Sequence, residues 1–388
     1  MKYFIETGYS SANHIGEELC GDRVETIKTK DSTIVVLADG LGSGVKANIL
    51  STLTSKIIST MMASGCTIEE CVETIASTLP VCNVRKVAYS TFSILKIHES
   101  GKAYLAQFDS PSMFFVRNGK LHNYECTCRE IEGKKIYESQ FDIQLEDLFV
   151  MTSDGVIHAG IGNLLNFGWE HENVAQFIEV AYEKNRSAKT IAAMVVSTSC
   201  ELYNHEPGDD TTAVAIHIRE QNVVNIMLGP PVDPNDDVPV IEKFLAMEGK
   251  HIVSGGTTSK IVSKYLNEEV YTDIDYLDPK IPPIGYMKGV DLVTEGVLTF
   301  NYVMEISNKI LEPDYQDFFW LEKKDGASII CRLLFEEATE VHFIVGRAMN
   351  PAHQNPAMSL DLSIKLQIVE RIASNLRALG RNVTVEYY

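Results

Sequence analysis

The chain has 388 residues, of which 45% are apolar and 22% charged, a globular balance long enough for two domains of about 100–200 residues each. Lys and Arg number 34 against 53 Asp and Glu, a formal charge of −19. A field of that sign repels phosphate backbones and anionic lipid, which argues against nucleic acid and favours a divalent cation as the guest. No apolar window reaches about 18 residues, and Met1 to Ser10 lacks a long apolar core ahead of a cleavage site, so a cytoplasmic protein without membrane insertion is expected.

In chain order, Thr33-Ile34-Val35-Val36-Leu37-Ala38 is a continuous β-prone run, stopped by Asp39 and the loop Gly40-Leu41-Gly42-Ser43-Gly44. Val45, Ile49, Leu50, Leu53, Ile57, Ile58 and Met61 then recur at helical spacing, followed by Ile68, Cys71, Val72, Ile75 and Leu79 before Pro80. Two such helices are expected to lie against something apolar. From Ser90 to Val116 the period is that of strands, with turns at Glu99-Ser100-Gly101-Lys102 and Arg117-Asn118-Gly119-Lys120, which predicts an antiparallel meander. Leu148 to Ser153 is a further strand, halted by Asp154-Gly155. Val174 to Tyr182 and Ala188 to Leu202 read as helices, and Gly208-Asp209-Asp210 precedes a closing strand, Thr211 to Ile218. Strands and helices fall in separate blocks, so residues 1–220 are expected to form two packed sheets flanked by helices.

After residue 220 strands and helices alternate, predicting a separate α/β domain over 221–388. Val223 to Leu228 and His251 to Ser254 are its first strands. Gly255-Gly256-Thr257-Thr258-Ser259 opens a helix, Lys260 to Leu266, and could offer backbone N–H groups and hydroxyls to an anion, although it lacks the lysine of a phosphate-binding loop. The bland reading of that segment is a capped helix start. Asp233, Asp236 and Asp237 form an acidic loop that suits a cation or only solvent. A late amphipathic helix, Leu360 to Leu379, offers an apolar stripe to a partner, possible homodimerisation included. Eight cysteines, at 20, 66, 71, 82, 126, 128, 200 and 331, lack zinc-module spacing. Most are expected to be buried thiols, with Cys126 and Cys128 the local pair.

Four acidic positions share one form, an acid with a glycine beside it at a strand end or turn: Gly21-Asp22, Asp39-Gly40, Asp154-Gly155 and Gly208-Asp209-Asp210. Each alone is more often a turn. Together they suggest carboxylates held around hard cations such as Mg²⁺ or Mn²⁺, with hydrolysis of a phosphoester as the chemistry. Glycine beside the acid would let a main-chain carbonyl join the shell.

These motifs, in this order over about residues 5–219, resemble the PPM (PP2C-like) metal-dependent protein phosphatases, specifically the bacterial sporulation stage II E type. The resemblance implies an α-β-β-α sandwich and two Mn²⁺ or Mg²⁺ ions. By position it implies that Asp39 is shared between the ions with the Gly40 carbonyl, that Asp154 and Asp209 are ligands, and that Asp22 binds the first ion or its water. Asp210 is a polar neighbour. Asp22 and Asp39 would carry the catalysis, by metal-activated water without a phosphoenzyme. The implied substrate is a phosphorylated regulatory protein of anti-anti-sigma-factor type. The helices from Val45 to Leu79 would form a switch that a regulator can move. Two departures stand out: Asp109-Ser110-Pro111-Ser112 makes the rim more acidic, and Arg23 is the nearest arginine for a phosphate. His14 is a candidate general acid or a plain loop histidine. A silent phosphatase-like scaffold or sensor and a phosphatase for small metabolites remain the alternatives. Residues 221–388 carry no resemblance and are expected to regulate or to bind a partner.

Overall fold

The computed structural model describes residues 3–79, 90–272, 281–348 and 358–388, the last with side chains from 363 onward; Pro80, Cys82 and the Leu360 side chain lie outside the described residues. The chain divides into two compact units, residues 1–220 with 313–316, and the remainder from 221.

In the first unit the elements are β1 (Phe4–Ala12), β2 (Asp22–Lys28), β3 (Ser32–Asp39), α1 (Gly44–Ala63), α2 (Ile68–Thr78), β4 (Thr91–His98), β5 (Lys102–Phe108), β6 (Phe114–Arg117), β7 (Lys120–Leu121), β8 (Thr127–Ile131), β9 (Lys134–Asp142), β10 (Leu148–Thr152), α3 (Asp154–Ile157), α4 (His171–Ala181), α5 (Ala188–Leu202) and β11 (Thr211–Arg219). They build two antiparallel sheets, β1-β11-β10-β6-β7 and β2-β3-β4-β5-β9-β8. On β3, Val35 and Leu37 join Phe115, Phe149 and Ile216 between the sheets. Ile34 and Val36 point the other way, against Ile58, Cys71 and Ile75 of the helices. A strand buried on both faces needs no polar alternation, which is why it reads as an unbroken apolar run. On the far side Leu148, Val150 and Ala215 meet Ile178, Ile191 and Val195 of α4 and α5. The result is the expected α-β-β-α sandwich.

Two expectations are corrected. The meander does not continue through its third strand: β4 and β5 pair, but β6 crosses to the other sheet and pairs with β10, and β5 takes β9 instead. The crossing is made at Asp109, whose φ is +47°, and at Pro111, which has no N–H to give a ladder. The Gln107 side chain fixes it, donating to the Pro111 carbonyl at 2.8 Å and accepting from the Met113 N–H at 3.3 Å. The second correction concerns α1. Its buried residues include Ala47, Ser51, Thr54, Ser55 and Ser59, whereas Val45, Ile49 and Leu53 are exposed. The Ser51, Ser55 and Ser59 hydroxyls donate to the carbonyls three residues back, so these three are buried with partners, whereas Thr54 Oγ1 is buried without one among the described residues.

The second unit contains β12 (Val223–Leu228), α6 (Asp237–Ala246), β13 (Lys250–Ser254), α7 (Gly256–Leu266), β14 (Tyr271–Thr272), β15 (Gly285–Met287), β16 (Val290–Thr294), α8 (Val297–Ile310), α9 (Gly326–Cys331), β17 (Glu340–Val345), α10 (Met358–Ala378) and β18 (Asn382–Tyr387). Its sheet runs β14-β15-β16-β13-β12-β17-β18, parallel from β16 to β18 with an antiparallel hairpin at one edge. This is a separate α/β fold, with the connections between its parallel strands carried by helices. Met227 and Val253 pack on Val240, Phe244 and Val262 of α6 and α7. The α10 stripe offered to a partner is internal: Ile368, Ile372 and Leu376 are fully or almost fully buried within the described residues, and Ile364 is the exposed member.

Candidate active site

Asp22 begins β2 and Asp39 ends β3, and the register of the pair sets them directly opposite one another. Asp154 opens α3 where β10 ends, and Asp209 and Asp210 stand immediately before β11. Strands β10 and β11 are neighbours, joined past their ends by Ser153, whose N–H donates to the Thr212 carbonyl at 3.0 Å and whose hydroxyl accepts from the Thr212 N–H at 2.9 Å. One acid pair therefore belongs to each sheet, and the sandwich brings both to the same end. Asp39, Gly40, Asp154 and Asp209 line one cleft of about 560 Å³, together with His14, Thr91, Phe108 and Asp109.

The electrostatics follow from this crowding. Burial pushes the Asp39 carboxyl up to about 8, helped by repulsion from Asp154, Asp209 and Asp210. Burial and then Asp39 raise Asp22 well above the usual carboxylate range; the Ser153 and Thr212 hydroxyls oppose the rise. Neither hydroxyl reaches hydrogen-bonding geometry, however: both Asp22 oxygens are buried without a partner among the described residues, as is Oδ2 of Asp210. Asp209 is also raised, by burial and then by Asp154. Like charges held together in this way favour protonation unless a cation intervenes.

Among the described residues no three His, Cys, Asp or Glu side chains form a ready metal cluster. The donor set nonetheless fits a hard divalent cation in its chemistry: it is all oxygen, and its buried carboxylate oxygens are unpartnered. The glycines beside the acids have a steric reason that the sequence reading did not supply. A Cβ on Gly40 would stand 2.0 Å from the Ala47 carbonyl oxygen of α1, and one on Gly155 would stand 2.2 Å from the Asp210 carbonyl oxygen. These residues let α1 and the β11 approach close onto the acids.

Arg23 does not enter the cleft. It follows Asp22 on a strand, so its side chain leaves by the opposite face, where it pairs with Glu25 at 3.3 Å. The lining residues hold neither Lys nor Arg. Asp109 does line the cleft, and so does His14. The sequence motif contains Ser153 without giving it a role, and it gives no sign of Tyr203, whose hydroxyl donates to the Gly155 carbonyl at 2.9 Å and so steadies the turn carrying Asp154. Ser153 is already next to Asp154 in sequence and is joined to β11 by its bonds to Thr212, whereas Tyr203 reaches the turn from the end of α5.

The remaining candidates lie in the second unit and elsewhere. Gly255 has a φ of +106° and precedes α7, which begins at Gly256, so Thr257, Thr258 and Ser259 already belong to its first turn. Thr258 Oγ1 accepts from the Gly229 N–H at 3.0 Å, and the Ser259 hydroxyl donates to the Gly256 carbonyl at 3.0 Å. Asp233 accepts from the Asn235 N–H and side chain and acts as a turn cap. Of the described cysteines, all free, Cys71, Cys200 and Cys331 are buried, Cys20 and Cys66 half-buried, and Cys126 and Cys128 exposed. The expectation that most are buried is therefore too strong.

The family model described as "Stage II sporulation protein E (SpoIIE)" matches residues 29–219. No curated protein matches the chain. Among solved structures it is similar to the PP2C phosphatase domain with a fragment of the regulatory domain of the cell fate determinant SpoIIE from Bacillus subtilis. That match has 20% identity and a TM-score of 0.49, covering 56% of this chain and 63% of that one. It is also similar to the RsbU and RsbW domains of a Mycobacterium tuberculosis protein, at 15% identity and a TM-score of 0.50, covering 63% of this chain and 70% of that one. At such identities the likeness concerns the fold. Among the described residues no helix is long and apolar enough to cross a membrane.

Proposed function

With residues 29–219 forming a domain of the stage II sporulation protein E family, within the PP2C-like superfamily, we propose that the chain is a metal-dependent phosphatase acting on phosphoserine or phosphothreonine of a regulatory protein. The observation that carries this reading is the meeting of the Asp22–Asp39 pair with Asp154 and Asp209 at one end of the sandwich, with the Asp22 oxygens buried and unpartnered.

Asp39, the Gly40 carbonyl, Asp154 and Asp209 would hold Mn²⁺ or Mg²⁺, with Asp22 binding the first ion or its water. When bound, such ions neutralise phosphoryl oxygens and make water a better nucleophile at neutral pH. The protein's own part is positional. Gly40 donates its N–H to the Gly21 carbonyl at 3.1 Å, which ties the loops that follow and precede the opposed acids. Ser153 ties Asp154 to β11. Because the lining residues hold no cationic side chain, the substrate's phosphate has no protein charge to meet, which supports a reading in which metal supplies it. The family's regulatory proteins suggest a phosphorylated partner of anti-anti-sigma-factor type, with residues 221–388 as the regulatory or interaction part. A phosphatase-like scaffold or sensor is the alternative that the test below separates from this reading.

The test is phosphate release from a phosphoserine peptide with Mn²⁺ titrated, alongside calorimetric Mn²⁺ binding. Turnover should depend on the metal and fall about 100-fold or more in Asp39→Asn and in Asp154→Asn. Metal binding by a wild type that releases no phosphate would favour the scaffold.

A further inference from the structure

The sheet of the second unit ends differently on its two sides. At one edge β14 spans two residues, and so short an edge strand gives another chain little to pair with. At the other edge β18 runs for six residues in unbroken parallel register with β17, and it holds no proline, lysine or bulge of the kind that blunts an edge. Asn382 and Tyr388 donate their N–H groups to the Thr339 and Val345 carbonyls, at 3.0 and 2.9 Å. The alternation of a strand therefore turns residues 382, 384, 386 and 388 toward β17 for hydrogen bonding, and turns the N–H and C=O groups of Val383, Val385 and Tyr387 outward. Among the described residues no strand lies beyond β18, and the one bond to its outward row is from the Arg377 guanidinium to the Val383 carbonyl at 3.1 Å.

An open edge of this kind is completed by one more strand. We infer that this strand is β18 of a second copy of the chain, added antiparallel about a two-fold axis through Val385. In that register Val385 faces its own counterpart and exchanges two N–H···O bonds with it, and Val383 faces Tyr387, so every outward residue of both strands is paired. The Val383 carbonyl has a second lone pair for the new bond beside Arg377. The side chains choose the occupant. Arg377 lies beside Val383, and Glu370 lies beside Tyr387, whose hydroxyl donates to it; both charges belong to α10. The two-fold sets Arg377 of each copy toward Glu370 of the other, and Val383 against Tyr387, a β-branched and aromatic pair of the sort that steadies sheets. A strand of unrelated sequence would meet the same backbone without this pair of opposite charges. Dimerisation thus uses polar residues of α10 and the strand beside them, since the apolar stripe of that helix is spent inside its own unit.

The experiment is sedimentation velocity of the full chain over a concentration series, in about 0.15 M salt to screen the repulsion between two acidic molecules. The wild type should pass from monomer to dimer as concentration rises. Val385→Pro removes an outward N–H and leaves the bonds to β17 in place, so it should weaken association about 10-fold or more with the urea midpoint of the second unit unchanged. If the proline unfolds that unit, the charges decide: Arg377→Glu should weaken association, and Arg377→Glu combined with Glu370→Arg should recover it. A wild type that stays monomeric at every concentration overturns the proposal. A dimer that neither Val385→Pro nor Arg377→Glu weakens overturns it too, because the two copies then meet through another surface.

Discussion

Helices α1 and α10 have nearly the same length, 20 and 21 residues, and both carry aliphatic side chains at helical spacing, yet they are seated in opposite ways. In α10, Ile368, Val369, Ile372, Ala373 and Leu376 are buried, and Asn375 donates from its amide to Ser307 Oγ and Asn308 Oδ1, both at 2.8 Å. That helix is held by removal of large apolar surface from water. In α1 the buried face contains Ala47, a row of hydroxyl residues and, toward its end, Ile58 and Met62, while Val45, Ile49 and Leu53 stand at 61%, 51% and 42% exposure. Its start is held by closeness of approach, with Gly40 under Ala47. The start of the helix that follows Asp39 is thus placed by backbone geometry, and the helix far from the acids in sequence is placed by bulk.

The difference sets the size of what mutations do. Ile372→Ala should cost the second unit about 2–5 kcal/mol in urea denaturation, because a fully buried side chain leaves a cavity behind it. A loss below about 1 kcal/mol would mean that α10 is not seated by its apolar stripe. On the other side of the comparison, Gly40→Ala should destabilise the first unit by about 1–3 kcal/mol, since the new methyl meets a backbone oxygen that cannot swing away. The same shift moves α1 off the end of β3, so metal-dependent phosphate release should fall with it. A Gly40→Ala protein of full stability would show that the approach is loose.

How much of this is legible in sequence depends on whether a feature is local. The β3 and β10 runs announce themselves because burial on both faces leaves them largely apolar, β11 by its central Ala213 to Ile216, and Asp39, Asp154 and Asp209 are visible as acids near where those runs stop or start. Strand β1 is harder to read: its mixed burial and its Gly8, pressed against the Lys189 backbone, blur the period. The crossing of β6 into the other sheet depends on Gln107 reaching Pro111 and Met113, a contact no hydropathy pattern carries. The orientation of α1 is illegible for the same reason. Its aliphatic residues have a good helical period, but the face toward the sheet is chosen by how near Gly40 lets it come. The ring of His14 is a lone histidine in sequence and becomes a cleft residue only through the loop at Pro207 and Asp210.

The acids at the foot of α1 yield a smaller but signed effect. In cation-free protein, native Asp39 keeps its proton up to about pH 8, against an ordinary carboxyl value of 3.8. Between those values the native state binds more protons than the unfolded one, so stability falls as pH rises through that window. Asp39→Asn should flatten this slope and raise cation-free stability at neutral pH by on the order of 1 kcal/mol, read as a melting shift of about 2–4 °C. Added Mn²⁺ should stabilise the wild type more than the variant. A variant less stable than wild type without metal would mean that Asp39 is satisfied by the fold alone.

The smallest effect is the sharpest separation of the two helices. Ile49 is half exposed at the centre of the outward stripe of α1, so Ile49→Ser should change stability by no more than about 0.5 kcal/mol, against several for Ile372. An exposed aliphatic row on a helix tethered to Asp39 has no folding task that this substitution would disturb. A large loss in urea denaturation would therefore mean that Val45, Ile49 and Leu53 are covered in solution, and that α1, like α10, is seated by bulk after all. A neutral result leaves Val45, Ile49 and Leu53 as an aliphatic row turned away from the core, with the first half of α1 positioned by the close contact at Gly40 and its second half by Ile58 and Met62.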